Sequence, residues 1–414
     1  MLPAKTDVLI VGAGPTGLAL AVALRQAGVD HVLIEALPEA QALSRAAVIH
    51  AHTLEALGST GVVETLRRDG LELSSFTVRD RDRPLLEIGF DGLPCAIRGL
   101  LMVPQSVTER RLAERLEALG GRIHRNVAAI SARRREGGAS VRLRTPAGER
   151  TVEARYVVGG DGMNSLVRKA AGIGFEGQAY GQSFVLADIR MAWPLQACEV
   201  SLFFSPGGLM VVAPLRDGIF RIVATVDEAR EAPSAADVQR LLDARGPSGG
   251  GARVEELVWG SRFRVHHRLA DTYREGPFLL MGDSAHVHSP AGGQGMNTGL
   301  VDSVVLAEAL ARVLRAGAPD SLLDLYSATR REAARGVLAL AARLTGLATL
   351  RPAPLRGLRN LLLRLLNRSG RFKRKLALDL SGISRRHLAR LPGEPAPPVP
   401  SATAAPEWAR AEAA

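Results

Sequence analysis

The residues best suited to chemistry lie in three glycine-rich segments. The first, Gly12-Ala13-Gly14-Pro15-Thr16-Gly17, follows a short β-branched run and begins a helical pattern. Its glycines would permit a tight turn close to a pyrophosphate, whose charge the free N–H groups of the helix start would favour. Glu35 ends the next predicted strand, where a carboxylate can accept a hydrogen bond from a ribose 2′-hydroxyl. Because the carboxylate is negative, its presence there argues against a nucleotide with a 2′-phosphate. We therefore predict that Gly12, Gly14, Pro15, Thr16, Gly17 and Glu35 bind a dinucleotide.

The second segment, residues 156–168, places Asp161 at the carboxyl end of a predicted strand. Arg168 would follow about one to two helical turns later. A strand, turn and helix with a capping aspartate would explain these residues equally well.

The third segment begins with a buried-strand run at 278–281 that delivers Asp283, a carboxylate able to accept hydrogen bonds from ribityl hydroxyls. A loop from Pro290 to Gly295 then leads to a predicted helix start near Met296 and Asn297. The negative pyrimidine end of a reduced flavin is a suitable partner for such a helix start. If the ligand is a flavin, as the family resemblance described below implies, Pro290, Gly293 and Gly295 shape the space over it, and Met296 and Asn297 bind it through their backbone.

Together, the strings GAGPTG, GGDGMNSLVR and GDSAHVHSPAGGQGMNTGL resemble the single-component FAD-dependent aromatic hydroxylases, the group A flavin monooxygenases typified by p-hydroxybenzoate hydroxylase. The resemblance runs from about residue 6 to about residue 335. It implies FAD as cofactor, NADPH or NADH and O2 as co-substrates, and hydroxylation of an aromatic or polycyclic small molecule through a flavin C4a-hydroperoxide. It also implies that Ser44, Arg45 and Gln105 contact FAD, and that Asp161 and Arg168 serve both FAD and the transient nicotinamide cofactor.

The sequence departs from this family at several positions, including Ser284, where alanine is frequent, and Ala307-Glu308, where a Trp-Lys pair is frequent. His52 stands where members usually have arginine, a difference that leaves the flavin motifs intact. We also expect the chain to lack the thioredoxin-like C-terminal domain of the larger polyketide hydroxylases.

The order of predicted elements indicates an α/β fold, with a Rossmann-like FAD-binding domain of the glutathione-reductase type, an inserted β-sheet substrate domain and a C-terminal helical segment. Glycine turns begin and end the pattern, and a period of two dominates between residues 183 and 226. The predicted boundaries are 1–72, 104–181 and 262–349 for the discontinuous FAD-binding domain, 73–103 and 182–261 for the β-rich substrate domain, 350–390 for a basic amphipathic helix, and 391–414 for a disordered tail.

The β-rich insertion should roof the substrate pocket. Phe203, Met210 and Arg221 lie on its predicted strands and are candidate wall residues, although ordinary sheet core is an equal alternative. His286 and His288 lie beside the third glycine turn, where histidines are commonly structural hydrogen-bonding groups. We therefore assign no side-chain acid or base, and place catalysis at the loop of Pro290 and Gly295.

The composition argues against a disulfide-rich, zinc-binding or membrane-spanning protein. The 414 residues are 46% apolar, and the two cysteines, Cys95 and Cys198, have no disulfide or zinc spacing. We expect a folded cytoplasmic protein with no membrane-spanning segment.

Residues 351–390 hold twelve Lys and Arg and one acid, Asp379, which accounts for the whole net charge of +11. Leucines at 355, 358, 361, 362, 365 and 366 would form one face of a helix and Arg or Asn residues the other. Docking on the protein with a solvated basic face is the preferred interpretation, and peripheral contact with an anionic membrane is the alternative. Nucleic acid is not expected, because aromatic residues are nearly absent there.

Two other functions remain open from the residues alone. One is an FAD-dependent dehydrogenase or reductase, and the other is a non-catalytic, membrane-associated flavin-binding protein.

Overall fold

The computed structural model describes residues 2–40, 46–95, 99–227, 232–290, 292–350 and 352–392. The predictions for Ser44 and Arg45, and for the tail beyond residue 392, lie outside these ranges. The strands are β1 Lys5–Val11, β2 His31–Ile34, β3 Val48–His50, β4 Leu71–Leu73, β5 Ser75–Asp80, β6 Arg83–Gly89, β7 Leu100–Met102, β8 Ile123–His124, β9 Ala128–Arg135, β10 Gly138–Thr145, β11 Gly148–Gly159, β12 Phe175–Ala192, β13 Glu199–Ser205, β14 Gly208–Pro214, β15 Ile219–Val226, β16 Arg253–Ala270, β17 Arg274–Glu275, β18 Phe278–Leu280 and β19 His286–Val287. The helices are α1 Pro15–Gln26, α2 Ala51–Leu57, α3 Val63–Asp69, α4 Gln105–Ala118, α5 Leu166–Ala170, α6 Ala235–Arg245, α7 Gln294–Arg315, α8 Leu322–Ala348, α9 Ala353–Asn367 and α10 Gly370–Leu380.

The first sheet brings the three glycine-rich segments together. Its strands run in the order β17-β18-β11-β1-β2-β8, with β9 and β10 added on β11, and β1 pairs in parallel with both β11 and β2. Because β11 and β18 are also parallel, the carboxyl ends of β1, β11 and β18 meet at one edge of the sheet. Helices α1 and α7 pack against this sheet over a continuous apolar core, which explains the unbroken apolar runs of its central strands. The predicted α/β fold is confirmed.

The second sheet forms the β-rich region, in the order β19-β16-β12-β15-β14-β13-β5-β6. Strands β12 and β16 are each 18 residues long and pair with one another across the predicted boundaries at 181 and 261. Those two boundaries therefore fall inside continuous strands. Residues 100–102, which we assigned to the substrate domain, instead join a small sheet in the order β3-β7-β4.

Glycines set several element boundaries. Helix α2 ends at Leu57 and continues into a 3-10 turn, Gly58–Thr60, which ends at Gly61 with φ of 77°. Helix α7 begins at Gln294, close to the predicted start near Met296 and Asn297, and Gly293 caps it in the left-handed region with φ of 62°.

The C-terminal segment corrects one prediction. Helix α9 docks on the protein as expected, but through the opposite face: Arg359 and Leu363 are buried, while five of its leucines are exposed. Leu391, which we placed in the tail, is only 3% exposed. No single helix of the described residues is long and apolar enough to cross a membrane, although the bent pair α8 and α9 passes that test jointly, with an angle of 119° between them.

Candidate active site

The first glycine turn is held closely against its neighbours. Gly12 has φ of 100°, and a Cβ there would collide with the carbonyl oxygen of Gly160. The Glu35 carboxylate accepts hydrogen bonds from the backbone N–H of Ala13 at 2.8 Å and of Leu37 at 3.0 Å. Glu35 thus fixes the turn as well as lining the adjacent cavity. Gly14 differs from Gly12, since a Cβ on Gly14 would meet no atom of the described chain within 4 Å.

A cavity of about 420 Å³ opens above this turn. Gln105 and Asp161, both predicted cofactor contacts, lie on its wall with Glu35. Gln105 is itself oriented by Ala46 N–H, 3.3 Å from its Oε1, and by Glu109, 2.9 Å from its Nε2. Burial raises the pKa of Glu109, whose carboxyl group accepts the hydrogen bond from the Gln105 amide.

Asp161 caps the short helix α5. Its Oδ2 accepts from Leu166 N–H at 2.7 Å, whereas its buried Oδ1 has no hydrogen-bond partner among the described residues. Burial raises the pKa of this carboxyl group. Asp161 lines the first cavity, although its Oδ1 is turned toward Gly159 and is buried.

Arg168 has a different role from the one predicted. Its Nη1 donates to Ser284 O and its Nη2 to Met163 O, each at 2.8 Å, and its guanidinium lies 3.9 Å from the centroid of the Phe175 ring. Arg168 does not belong to the described lining of either large cavity. Burial lowers the pKa of Arg168. We interpret this side chain as a clamp that joins the second and third glycine segments.

The third segment is locked beneath the first. A Cβ on Gly299 would overlap Thr16 and Gly282, so helix α7 approaches the glycine turn as closely as backbone permits. Ser284 Oγ donates to Gly159 O at 2.6 Å. These contacts leave Asp283 exposed on the wall of the second cavity, beside Pro15 and Thr16.

The loop over the predicted flavin position is braced from outside. Gly292 O lies 2.9 Å from His50 Nε2, and Gln294 Nε2 donates to Leu380 O at 2.8 Å. The Asn297 side chain accepts from His50 N–H and donates to Val48 O, both at 2.8 Å. The side chain of Asn297 is therefore structural, and only its backbone is left for the role we predicted. Because the first N–H groups of a helix have no partner within it, the start of α7 presents donors to a ligand.

The second cavity, of about 500 Å³, shares Gly14, Gln105 and Gly160 with the first, so that one hollow runs from Glu35 to the β-rich sheet. Pro290, Gly293, Gly295 and Met296 line it, as predicted. Its far wall is apolar and consists of Phe76, Phe90, Leu100, Leu202, Leu209, Val211, Val223 and Phe263.

Two predicted wall residues lie on the wrong face of the sheet. Phe203 and Met210 pack beneath it against helix α6, where the Trp193 ring meets Phe203 edge-on at 6.1 Å. Side chains alternate along a strand, so a shift of one residue separates them from Leu202 and Leu209, which do line the cavity.

Arg221 does line the second cavity. It is 2% exposed, and its Nε and Nη2 donate to the two oxygens of Asp188 at 2.7 Å each. Its Nη1 donates to Ala46 O at 2.8 Å, next to the segment that holds Ser44 and Arg45. Arg221 therefore connects the sheet to the loop at the cofactor cavity.

His288 lines the second cavity, and its ring has a defined tautomer. Its Nδ1 lies 2.8 Å from Ser289 O and must carry the proton, because a carbonyl only accepts. The buried Nε2 is then an acceptor with no partner among the described residues. Burial lowers the pKa of His288 to about 4, which keeps the ring neutral near neutral pH. No feature of the sequence distinguishes this histidine from His286.

His286 is structural, as expected. Its Nε2 donates to Asp302 Oδ2 at 2.8 Å in a site where both side chains are 0% exposed. Within the described ranges, no group of three or more His, Cys, Asp or Glu side chains is placed to hold a metal ion.

These features fit FAD. The open space at Gly14 and the uncapped start of α1 suit a pyrophosphate, the exposed Asp283 carboxylate suits a hydroxyl group, and the start of α7 suits the flavin ring. Gly14, Asp161, Asp283 and Met296 are distributed along one hollow, as an extended dinucleotide requires.

Comparisons with known proteins agree with this fit. The family model described as "FAD binding domain" matches residues 5–341. The chain is similar to 12-dehydrotetracycline 5-monooxygenase/anhydrotetracycline 6-monooxygenase of Streptomyces rimosus, with 37% identity over 81% of this chain and 68% of that protein. A rifampicin monooxygenase of Streptomyces venezuelae is 35% identical over 80% of this chain and 69% of its own length. The solved anhydrotetracycline hydroxylase of Streptomyces rimosus superposes with a TM-score of 0.77 and 34% identity, over 91% of this chain and 76% of that one.

The family match spans most of the chain, and the relatives and the built hollow point to the same cofactor and reaction. The chain is an FAD-dependent monooxygenase and belongs to the FAD-binding-domain family of group A flavoprotein hydroxylases.

Proposed function

We propose that this enzyme uses NADPH or NADH and O2 to hydroxylate a flat, largely apolar polycyclic aromatic compound that carries a hydroxyl group. The observation that supports this most is the second cavity, whose apolar wall faces the start of α7 across a space of about 500 Å³. Apolar rings would be desolvated against that wall. The few polar groups around it, including Arg221 and His288, would fix the orientation.

We assign the following roles to the chain's own residues. Gly14 and the start of α1 hold the pyrophosphate, Asp283 accepts hydrogen bonds from hydroxyl groups, and Met296 places backbone N–H near the flavin ring. Pro290, Gly293 and Gly295 shape the space above the ring. The bound flavin supplies the redox chemistry with O2, while the protein orients the substrate and excludes water.

His288 favours substrates that carry a phenolic hydroxyl group. Its Nε2 lone pair can accept a hydrogen bond from a phenolic O–H, which raises electron density on the ring that receives an electrophilic oxygen. A neutral acceptor in a buried wall also disfavours substrates that present only another acceptor there.

A panel of polycyclic phenols tests the proposal by their effect on NADPH and NADH oxidation and on O2 uptake. We expect a subset to accelerate both, with one O2 consumed for each nicotinamide oxidised. Acceleration that persists unchanged without O2 would instead support the dehydrogenase or reductase alternative.

A further inference from the structure

The outward face of helix α9 is made of leucine. Leu355, Leu358, Leu361, Leu362 and Leu365 are 47%, 63%, 55%, 52% and 53% exposed, although they lie on a helix that is docked on the protein. An apolar face of this size on a surface is unusual unless something covers it.

The opposite face of α9 is anchored by polar contacts. Asn360 Nδ2 donates to Asp80 Oδ2, and Asn367 Oδ1 accepts from Glu87 N–H, both at 2.9 Å. Arg359 Nη1 donates to Leu347 O at 2.8 Å while its guanidinium lies 4.7 Å from the centroid of the Phe204 ring. Turning the leucines inward would break all of these contacts, so the outward orientation is built into the fold.

The exposed charges of α9 and of the first part of α10 all have the same sign. By helical spacing, Arg364 and Arg368 border the leucine face, and both are exposed. Helix α10 continues with exposed Arg371, Arg374 and Lys375, and residues 351–378 include no acid.

We propose that α9 is an interfacial helix that lies on an anionic lipid surface, with its leucines among the acyl chains and its flanking arginines at lipid phosphates. An amphipathic helix with a cationic border is the composition that such surfaces bind. A second copy of the chain is a poorer occupant, because a symmetric contact would set the exposed cations of α9 and α10 against one another. The surface is separate from the FAD cavity, so this inference does not depend on the reaction.

Flotation of the full FAD-loaded chain with vesicles tests the proposal. We expect binding to phosphatidylcholine vesicles that contain about one third phosphatidylglycerol, little binding to pure phosphatidylcholine, and weakening as salt is added. A triple change, Leu358→Gln, Leu362→Gln and Leu365→Gln, and a separate double change, Arg364→Gln with Arg368→Gln, should each weaken binding roughly tenfold or more.

Matched controls remove similar groups elsewhere. Val258→Gln replaces a valine that is 47% exposed on β16, and Arg144→Gln with Arg150→Gln removes two exposed arginines from the β10–β11 hairpin. These changes should leave binding within about twofold. All the altered side chains face solvent, so the thermal unfolding temperature and the flavin absorption spectrum should not change.

Three outcomes would overturn the proposal. The first is failure of the unaltered chain to float with anionic vesicles. The second is flotation that the leucine changes leave intact. The third is a dimer in light scattering that the leucine changes disperse without any vesicle binding, which would assign the face to a second copy.

Discussion

Asp302 and Arg330 form a buried ion pair, in which Nε of the arginine lies 2.8 Å from Oδ1 of the aspartate and the two side chains are 3% and 0% exposed. The other carboxylate oxygen of Asp302 accepts from His286 Nε2 at 2.8 Å and from Gly282 N–H at 3.2 Å. One carboxylate on α7 therefore fixes α8, β19 and the glycine turn that carries Asp283.

Replacement of Asp302 by asparagine should destabilise the protein by about 3–5 kcal/mol, because it leaves Arg330 as a buried charge without its counterion. Urea unfolding measures this loss. Asp324→Asn is the control, since that carboxylate pairs with Arg274 while its side chain is 68% exposed, and it should cost less than about 1 kcal/mol. Equal losses for the two variants would contradict the role given to Asp302.

The same pair predicts a pH dependence. Burial alone would raise the pKa of Asp302, yet Arg330 and His286 hold that pKa below its ordinary value. A carboxyl group whose pKa is lower in the folded state stabilises the fold above its unfolded pKa, near about 4, and loses this effect as pH falls through the folded value. The difference in unfolding free energy between the unaltered chain and Asp302→Asn should therefore be largest near neutral pH and shrink below about pH 4. A difference that grows on acidification would refute this.

Substitutions at Gly14 and Gly17 should distinguish an effect on cofactor binding from an effect on folding. A Cβ on Gly14 meets no described atom within 4 Å, whereas a Cβ on Gly17 would collide with the Gly12 carbonyl. Gly14→Ala should leave the unfolding temperature of the apoprotein unchanged but weaken FAD binding at least roughly tenfold, because the methyl group enters the space assigned to the pyrophosphate. Gly17→Ala should lower the apoprotein's unfolding temperature. Unchanged FAD affinity of Gly14→Ala, measured by flavin fluorescence, would exclude the proposed pyrophosphate position.

Breaking the buried ion pair of Arg221 and Asp188 at the substrate cavity should destabilise the protein strongly. Arg221→Met would leave Asp188 without its partner and should cost about 3–5 kcal/mol in unfolding free energy. Adding Asp188→Leu removes the remaining charge and should restore most of that loss. Arg190→Met is the control, because Arg190 and its partner Glu256 have side chains that are 44% and 61% exposed. A double variant no more stable than Arg221→Met would argue against the pairing.

His288 predicts a ligand preference. The enzyme should bind a polycyclic phenol up to roughly tenfold more tightly than its methyl ether, and His288→Phe should abolish this preference, because the ether has no proton for Nε2 to accept. Since burial lowers the pKa of His288 to about 4, the preference should stay constant between about pH 5 and pH 8. Equilibrium titration of flavin absorbance measures both ligands, and a preference that survives in His288→Phe would assign the phenol to another group.

Features that depend on a local sequence pattern could be predicted from the sequence. The glycine segments, Glu35 and Asp283 could be placed because parallel strands bring their carboxyl ends to one edge. Strand alternation could not be phased for Phe203 and Met210. In the run from 199 to 205 the polar residues Glu199, Ser201 and Ser205 alternate with apolar ones, but both faces are buried, so polarity does not show which face lines the cavity.

Contacts between residues that are distant in the chain could not be predicted from the sequence. Arg168 was predicted at the cofactor, but its partner Ser284 O lies 116 residues away. Helix α9 shows the same limit, because an amphipathic pattern indicates two faces without showing which one the protein covers.

Oxygen transfer tests the central claim most directly. With isotopically labelled O2 and a phenol that stimulates NADPH or NADH oxidation, the hydroxylated product should carry one labelled oxygen atom, and none when the label is supplied in water. Product labelled from water, or a product that gains no oxygen while the nicotinamide is oxidised, would contradict the assignment as a monooxygenase.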